Sequence, residues 1–338
     1  MKIIQKIFWA FFSLALFTAC TPEWEDSIPD VSHINVKIDI ERADRALVHA
    51  KSREEIIEYM RKHKRLAIDG LSMDFYPSQQ VFTESLWLLA ESPRIDSLQD
   101  NIEKAYGEDL SNLKKELTSA FKFIKYYYPD FQVPAIYVVN TGFGVSIVQN
   151  DSIIVIGLDY FLGRNIKYRP TGPDRQPMPE YIARRFQPET VTHQIVKLIS
   201  RKYIKISEEQ AFLNDMIAAG KTAVFCKYMQ PHAPDSLILE FTEKEVNTCN
   251  EHAADIWAHF VENKIFYDAT RMTKTKYLQD RPFISEISQE CPGRIGYWVG
   301  WQVLDAYMQK QPEVSFQDVM KDTDFAKIFR QSKYKPVN

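Results

Sequence analysis

The segment Pro188–Tyr203, PETVTHQIVKLISRKY, decides how the chain is read. Pro188 and Glu189 suit a helix's first turn. Proline lacks an N–H that would have no partner there, and a carboxylate complements the positive end of the helix dipole. Val191, Ile195, Leu198 and Ile199 recur at three- and four-residue spacing, an apolar stripe for one helix face to bury. His193 and Lys197 are four residues apart and share a face. His193 therefore either marks a metal site or sits on an ordinary amphipathic helix.

A helix that holds catalytic zinc carries His-Glu-x-x-His: two neutral imidazoles on one face, a carboxylate that takes a proton from bound water, and a third ligand from elsewhere. Here the five residues are His193-Gln194-Ile195-Val196-Lys197. Gln194 is an amide and does not titrate. Lys197 puts an ammonium where the second ligand belongs, and binding zinc would first require stripping a proton whose reference pKa is about 10.4. Two such changes together argue against hydrolytic zinc chemistry.

The chain starts as an exported one. Residues 1–19 have Lys2 and Lys6, an apolar run from Ile7 to Leu16, and small residues before Cys20, the pattern of a secretory signal too short to span a bilayer comfortably. Phe17-Thr18-Ala19-Cys20 resembles a bacterial lipobox, which implies cleavage before Cys20 and its lipidation. Residues 20–33, acidic and aperiodic, read as a tether between membrane and domain. Residues 34–338 are long enough for one large domain, and 45% hydrophobic content predicts a well-packed core. The net charge of −3 comes without a basic tract, which excludes nucleic acid as an expected partner. Cys226, Cys249 and Cys291 form no CxxC unit and read as buried apolar thiols, of which at most one pair can bridge.

Periodicity predicts an α+β fold: a predominantly helical single domain with a small antiparallel β-meander. Ile34, Val36, Ile38 and Ile40 alternate as a strand does. Helices are predicted over 52–63, 78–92, 94–107 and 110–130, the first opened by a Ser52 cap with Glu55 three residues on. VPAIYVVN, GVSIVQN and SIIVIGLDYFL then read as three strands of the meander, with a tight Asn150-Asp151 turn between the last two. A proline- and arginine-rich connection follows, and helices are predicted over 188–203, 208–229, 242–263, 293–311 and 315–330.

Over most of its length the chain resembles the GldB lipoproteins of gliding motility in Bacteroidota. The match lies in the lipobox start, SHINVKIDIERADRAL, the strand segments, the DMIAAGK helix and, most specifically, PGRIGYWVGWQVLDAYM with FAKIFRQSKYKP near the end. Those lipoproteins look like relatives of a predicted zincin-type peptidase family, and the resemblance implies a zincin-like fold. In that family a second helix carries a glutamate before glycine; here Ala219 stands before Gly220, with Asp215 one turn earlier. With Gln194, Lys197 and Ala219 replaced, only His193 remains of the four chemical positions. The resemblance therefore implies a non-catalytic lipoprotein without metal or other cofactor. It would be anchored in the cell envelope, on the outer membrane, binding or assembling with other envelope proteins of the gliding and secretion machinery. The rival readings are a zinc peptidase with a rearranged ligand set such as His193 and Asp215, and a cell-wall glycan-binding module.

Other residues offer lesser candidates. His252, Asp255 and His259 share a helix face, but two turns, roughly 10 Å, separate the histidines; a solvated His–Asp pair is the plainer expectation. Gly293, Gly296 and Gly300 sit in helical register, where glycine costs about 1 kcal/mol relative to alanine, so tight packing on another helix is expected. Tyr297, Trp298 and Trp301 flank them and either line a groove or fill the core. Arg164, Lys167, Arg169, Arg175, Arg184 and Arg185 read either as a positive rim for an acidic partner or anionic glycan or, more plainly, as solvated charges.

Overall fold

The computed structural model describes residues 28–336, apart from residues 164, 167, 168 and 172–175. The signal segment, Cys20, Arg164, Lys167 and Arg175 lie outside the described residues. One compact unit runs Ile34–Asn338.

The chain enters through a short strand, β1 (Ile40–Arg42), and turns directly into α1 (Ala43–Val48). The alternation of half-buried and exposed residues over 34–40 is present, but only its last residue pairs in a ladder. Four helices follow: α2 (Arg53–Lys62), α3 (Gln79–Ala90), α4 (Pro93–Tyr106) and α5 (Ser111–Tyr127). Their starts obey local chemistry. Ser52 and Ser78 accept hydrogen bonds from Glu55 N and Val81 N, which satisfies N–H groups the helix itself leaves unpaired. The α5 stripe of Leu113, Leu117, Phe121 and Ile124 is buried as its spacing requires.

Three strands come next: β2 (Ala135–Val139), β3 (Ile147–Gln149) and β4 (Ile153–Gly157). They do not form a meander. The sheet order is β1-β2-β4-β3, with β2 parallel to both β1 and β4, and only β3–β4 antiparallel. The hairpin is set locally, because Asn150 Oδ1 accepts from Ser152 N (2.8 Å) and Ile153 N (3.0 Å). Nothing local sets the direction of β2 against β4. Every residue of β4 is buried, the near-continuous apolar run of a central strand. One face of the sheet, through Val139, Ile153 and Val155, packs on α1, α2 and α3 residues such as Leu47, Ile56 and Phe82.

The C-terminal half is helical: α6 (Glu180–Ala183), α7 (Val191–Tyr203), α8 (Phe212–Met229), α9 (Asp235–Leu239), α10 (Glu243–Glu251), α11 (Ala253–Glu262) and α12 (Arg271–Leu278). A two-stranded hairpin, β5 (Phe283–Ile284) with β6 (Ser288–Pro292), then leads into α13 (Ile295–Lys310), α14 (Phe316–Lys321) and α15 (Phe325–Ser332). The helix expected over 242–263 is broken at His252, and the one over 315–330 is two helices, with Asp324 capping the second through Lys327 N. α12 and the β5–β6 hairpin are too short and too polar to stand out by periodicity. α8 and α13 form the main helix pair. A Cβ on Gly300 would lie 2.1 Å from Met216 O, and one on Gly220 2.3 Å from the Gly300 carbonyl carbon, so both glycines are there to let two backbones touch.

Candidate functional site

α7 begins after a reciprocal cap between Gln187 and Thr190. Its buried face is Val191, His193, Ile195, Val196 and Ile199, so Val196 takes the place in the stripe expected of the half-buried Leu198. His193 is fully buried. Its Nδ1 lies 3.3 Å from Gln230 Oε1, while Nε2 has no hydrogen-bond partner. That bare nitrogen is 3.9 Å from Glu240 Oε1.

Glu240 is the centre of the arrangement. Its Oε1 accepts from Gln194 Nε2 at 2.9 Å and from Lys197 Nζ at 2.5 Å. Its Oε2 accepts from Arg294 Nη1 at 2.5 Å and pairs with Arg185 Nε at 2.8 Å. Arg185 also pairs with Asp280. Two non-glycine residues in left-handed backbone place these charges: Glu240 (φ 57°) closes α9, and Arg294 (φ 61°) opens α13. Both are uncommon conformations that the surrounding packing must sustain. Burial pushes the Glu240 carboxyl up, but Arg294, Lys197 and Arg185 together outweigh it and hold it well below the usual carboxylate range. Burial lowers the His193 imidazole to about 4, against the pull of Glu240 and helped by Lys197, so it is neutral at physiological pH.

The other expected site positions do not join this cluster. Asp215 forms an ion pair with Lys274 at 2.7 Å. Asp215, Ala219 and Tyr297 line a cavity of about 690 Å³ with Ser200, Ile206 and Leu278; His193, Gln194 and Lys197 do not line it. Asp215, of the rearranged ligand pair, is thus paired with Lys274 at a cavity that His193 does not line. Trp298 and Trp301 do not line a groove. They are 2% and 6% exposed, and the Trp298 indole donates to Asn250 Oδ1 at 3.3 Å. Tyr297 lines the cavity with Asp215 and Ala219, its ring 4.2 Å below the Arg294 guanidinium. His252 stays near Asp255 (3.4 Å), whereas His259 Nε2 turns to Tyr277 OH (2.8 Å). Among the described residues no three His, Cys, Asp or Glu side chains group to hold a metal ion.

Two of the loop arginines are not solvated rim. Arg184 pairs with Glu245 at 2.6 Å, and Arg185 is one of the cations around Glu240. Cys226, Cys249 and Cys291 are free and buried, and burial pushes the thiols of Cys226 and Cys291 up to about 12.

The model of the family described as gliding motility protein GldB matches residues 25–336. The chain belongs to the GldB family. Neither a curated protein nor a solved structure matches it. Among the described residues of this GldB-family chain, no helix is long and apolar enough to cross a membrane.

Periodicity misses Glu240 and Arg294, the two residues that organise the cluster. Glu240 sits in SLILEF, one charge inside an apolar run, and that is the only local sign that it is buried and paired. Arg294 stands between Gly293 and Ile295 in the segment most typical of the family, where the glycines draw attention instead.

Proposed function

We propose that this chain is a non-catalytic, lipid-anchored GldB-family protein of the bacterial envelope that acts by binding or assembly alongside gliding and its linked secretion. The supporting observation is that His193, Gln194 and Lys197, which sit where a zincin-like helix would hold its metal and base, all converge on Glu240. Zinc needs lone pairs, and here an ammonium and two guanidiniums already saturate the one carboxylate. A dication brought beside His193 Nε2 would meet Lys197, Arg185 and Arg294 at close range, in surroundings where repulsion is poorly screened. The zincin-like ancestry and the outer-membrane address belong to this proposal, as do envelope proteins as partners.

The test is metal analysis of the full-length protein purified from native membranes with mild detergent. Zinc well below one equivalent is expected, with no change on His193→Ala. Stoichiometric zinc that His193→Ala removes, together with a peptidase activity, would overturn the proposal. In the same preparation, Cys20→Ser should move the protein out of the membrane fraction, and crosslinking before lysis should recover the same envelope protein repeatedly.

A further inference from the structure

A second concavity, remote from the Glu240 cluster in its residues, has the chemistry of a ligand site. Arg94, Phe143, Tyr160, Ile166, Arg169 and Thr171 line a cleft of about 620 Å³, a size usual for small-molecule sites. Its described lining contains two guanidiniums and no carboxylate. The rings of Phe143 and Tyr160 are half-buried, meet edge to face with centroids 5.6 Å apart at 79°, and both line the cleft.

The floor is built rather than incidental. Gly142 and Phe143 follow one another with φ of 62° and 72°. For glycine this is free; for phenylalanine it is a genuine outlier that needs an anchor, and such outliers gather at ligand sites. The anchor is Asp159, fully buried, whose Oδ2 accepts the Phe143 N–H at 2.5 Å, while its Oδ1 has no partner. Thr141 Oγ1 closes the loop by accepting from Gly144 N and Val145 N. From the side, Arg94 donates to Gly142 O at 2.6 Å and its guanidinium lies 5.0 Å over the Phe143 ring. The loop is thus preorganised with the Phe143 ring in the wall of the cleft.

The geometry points to an acidic sugar of an envelope or extracellular polysaccharide as the ligand, its carboxylate on Arg169 and its apolar C–H face on Phe143. A guanidinium takes a carboxylate through paired N–H donors, and an aromatic face accepts the C–H side of a pyranose. An extended peptide fits less well, because the backbone at Thr171 and Pro177 is already bridged to itself. Recognition therefore falls to side chains. This inference goes beyond the proposed assembly with envelope proteins and assigns a glycan ligand to a separate cleft.

The experiment is calorimetry of the full-length protein in detergent micelles with a galacturonic acid oligosaccharide. The neutral galactose oligosaccharide and oligoglutamate serve as comparisons. Binding of the acidic sugar is expected, at least tenfold tighter than either comparison and weakening with salt. Arg169→Gln, on the exposed connection, should weaken it tenfold or more. Phe143→Asn, which keeps a residue tolerant of positive φ and removes the ring, should weaken it several-fold without lowering the melting temperature of the unliganded protein. No binding at millimolar sugar, binding unchanged in both variants, or equal binding of oligoglutamate would each overturn the assignment. None of these results alters the zinc content on which the non-catalytic reading is tested, so the two fail separately.

Discussion

Two buried carboxylates in this molecule have opposite electrostatic fates. Glu240 and Asp159 are both largely removed from water, at 6% and 0% exposure. Burial alone pushes each carboxyl up. Around Glu240, Arg294, Lys197 and Arg185 reverse that push and keep it charged. Around Asp159, backbone N–H groups from Phe143, Thr141 and Tyr160 among others offset burial incompletely: its carboxyl is raised to about 7. Here the backbone N–H groups leave the Asp159 carboxyl raised, whereas three full charges keep Glu240 ionised. The first arrangement locks three helices and a loop together, and the second holds one loop in a strained shape.

The largest effect expected from breaking this contrast is at Glu240. Glu240→Gln keeps the shape but leaves Arg294, Arg185 and Lys197 without their carboxylate, and should cost about 3–5 kcal/mol in urea unfolding. A loss below about 1 kcal/mol would mean the cations find water or other partners, and the contrast would collapse.

The next effect is read by pH at His193. Its folded pKa of about 4 lies below the ordinary 6.5, so the unfolded chain takes up the proton first. Stability from the neutral, buried imidazole is present above pH 6.5 and is lost as pH falls towards 4, by about 2–3 kcal/mol. His193→Asn, which keeps a donor for Gln230, should remove that part of the acid sensitivity in thermal melts.

A pH effect of comparable size is expected at Asp159, and its slope has the opposite sign. The folded pKa of about 7 exceeds the ordinary 3.8, so the unfolded chain loses its proton first. Wild type should therefore lose about 3–4 kcal/mol of stability relative to Asp159→Asn as pH rises from about 4 to 7. Parallel rather than opposed slopes for His193 and Asp159 would refute the electrostatic account of both.

How far these features were legible follows from their range along the chain. The helix over 188–203, the Ser52 cap and the α5 stripe depend on neighbours three and four residues away, and spacing reveals them. The Asn150 turn is equally local. The parallel pairing of β2 with β4 is not. Two apolar strands look alike in either direction, and the meander expected from their succession is replaced by a mixed sheet once β4 inserts between β2 and β3. Tyr297, Trp298 and Trp301 show the same limit. Their spacing suits a groove or a core, and only the packing of distant segments, such as α10 with Asn250 beside Trp298, decides that both tryptophans are buried.

By itself, the segment PETVTHQIVKLISRKY determined that His193, Gln194 and Lys197 lie close together on one helix, and that two of the three cannot serve zinc hydrolysis, because an amide does not titrate and an ammonium has no free lone pair. Only the tertiary structure decided what those side chains do instead. Glu240 reaches Lys197 from 43 residues further along, at the end of α9, and Arg294 reaches Glu240 from a further 54 residues on. Helical spacing states which side chains share a face. It cannot state which distant charge that face meets, because the meeting depends on where two left-handed residues turn the chain and on which helices pack closely enough to exclude water.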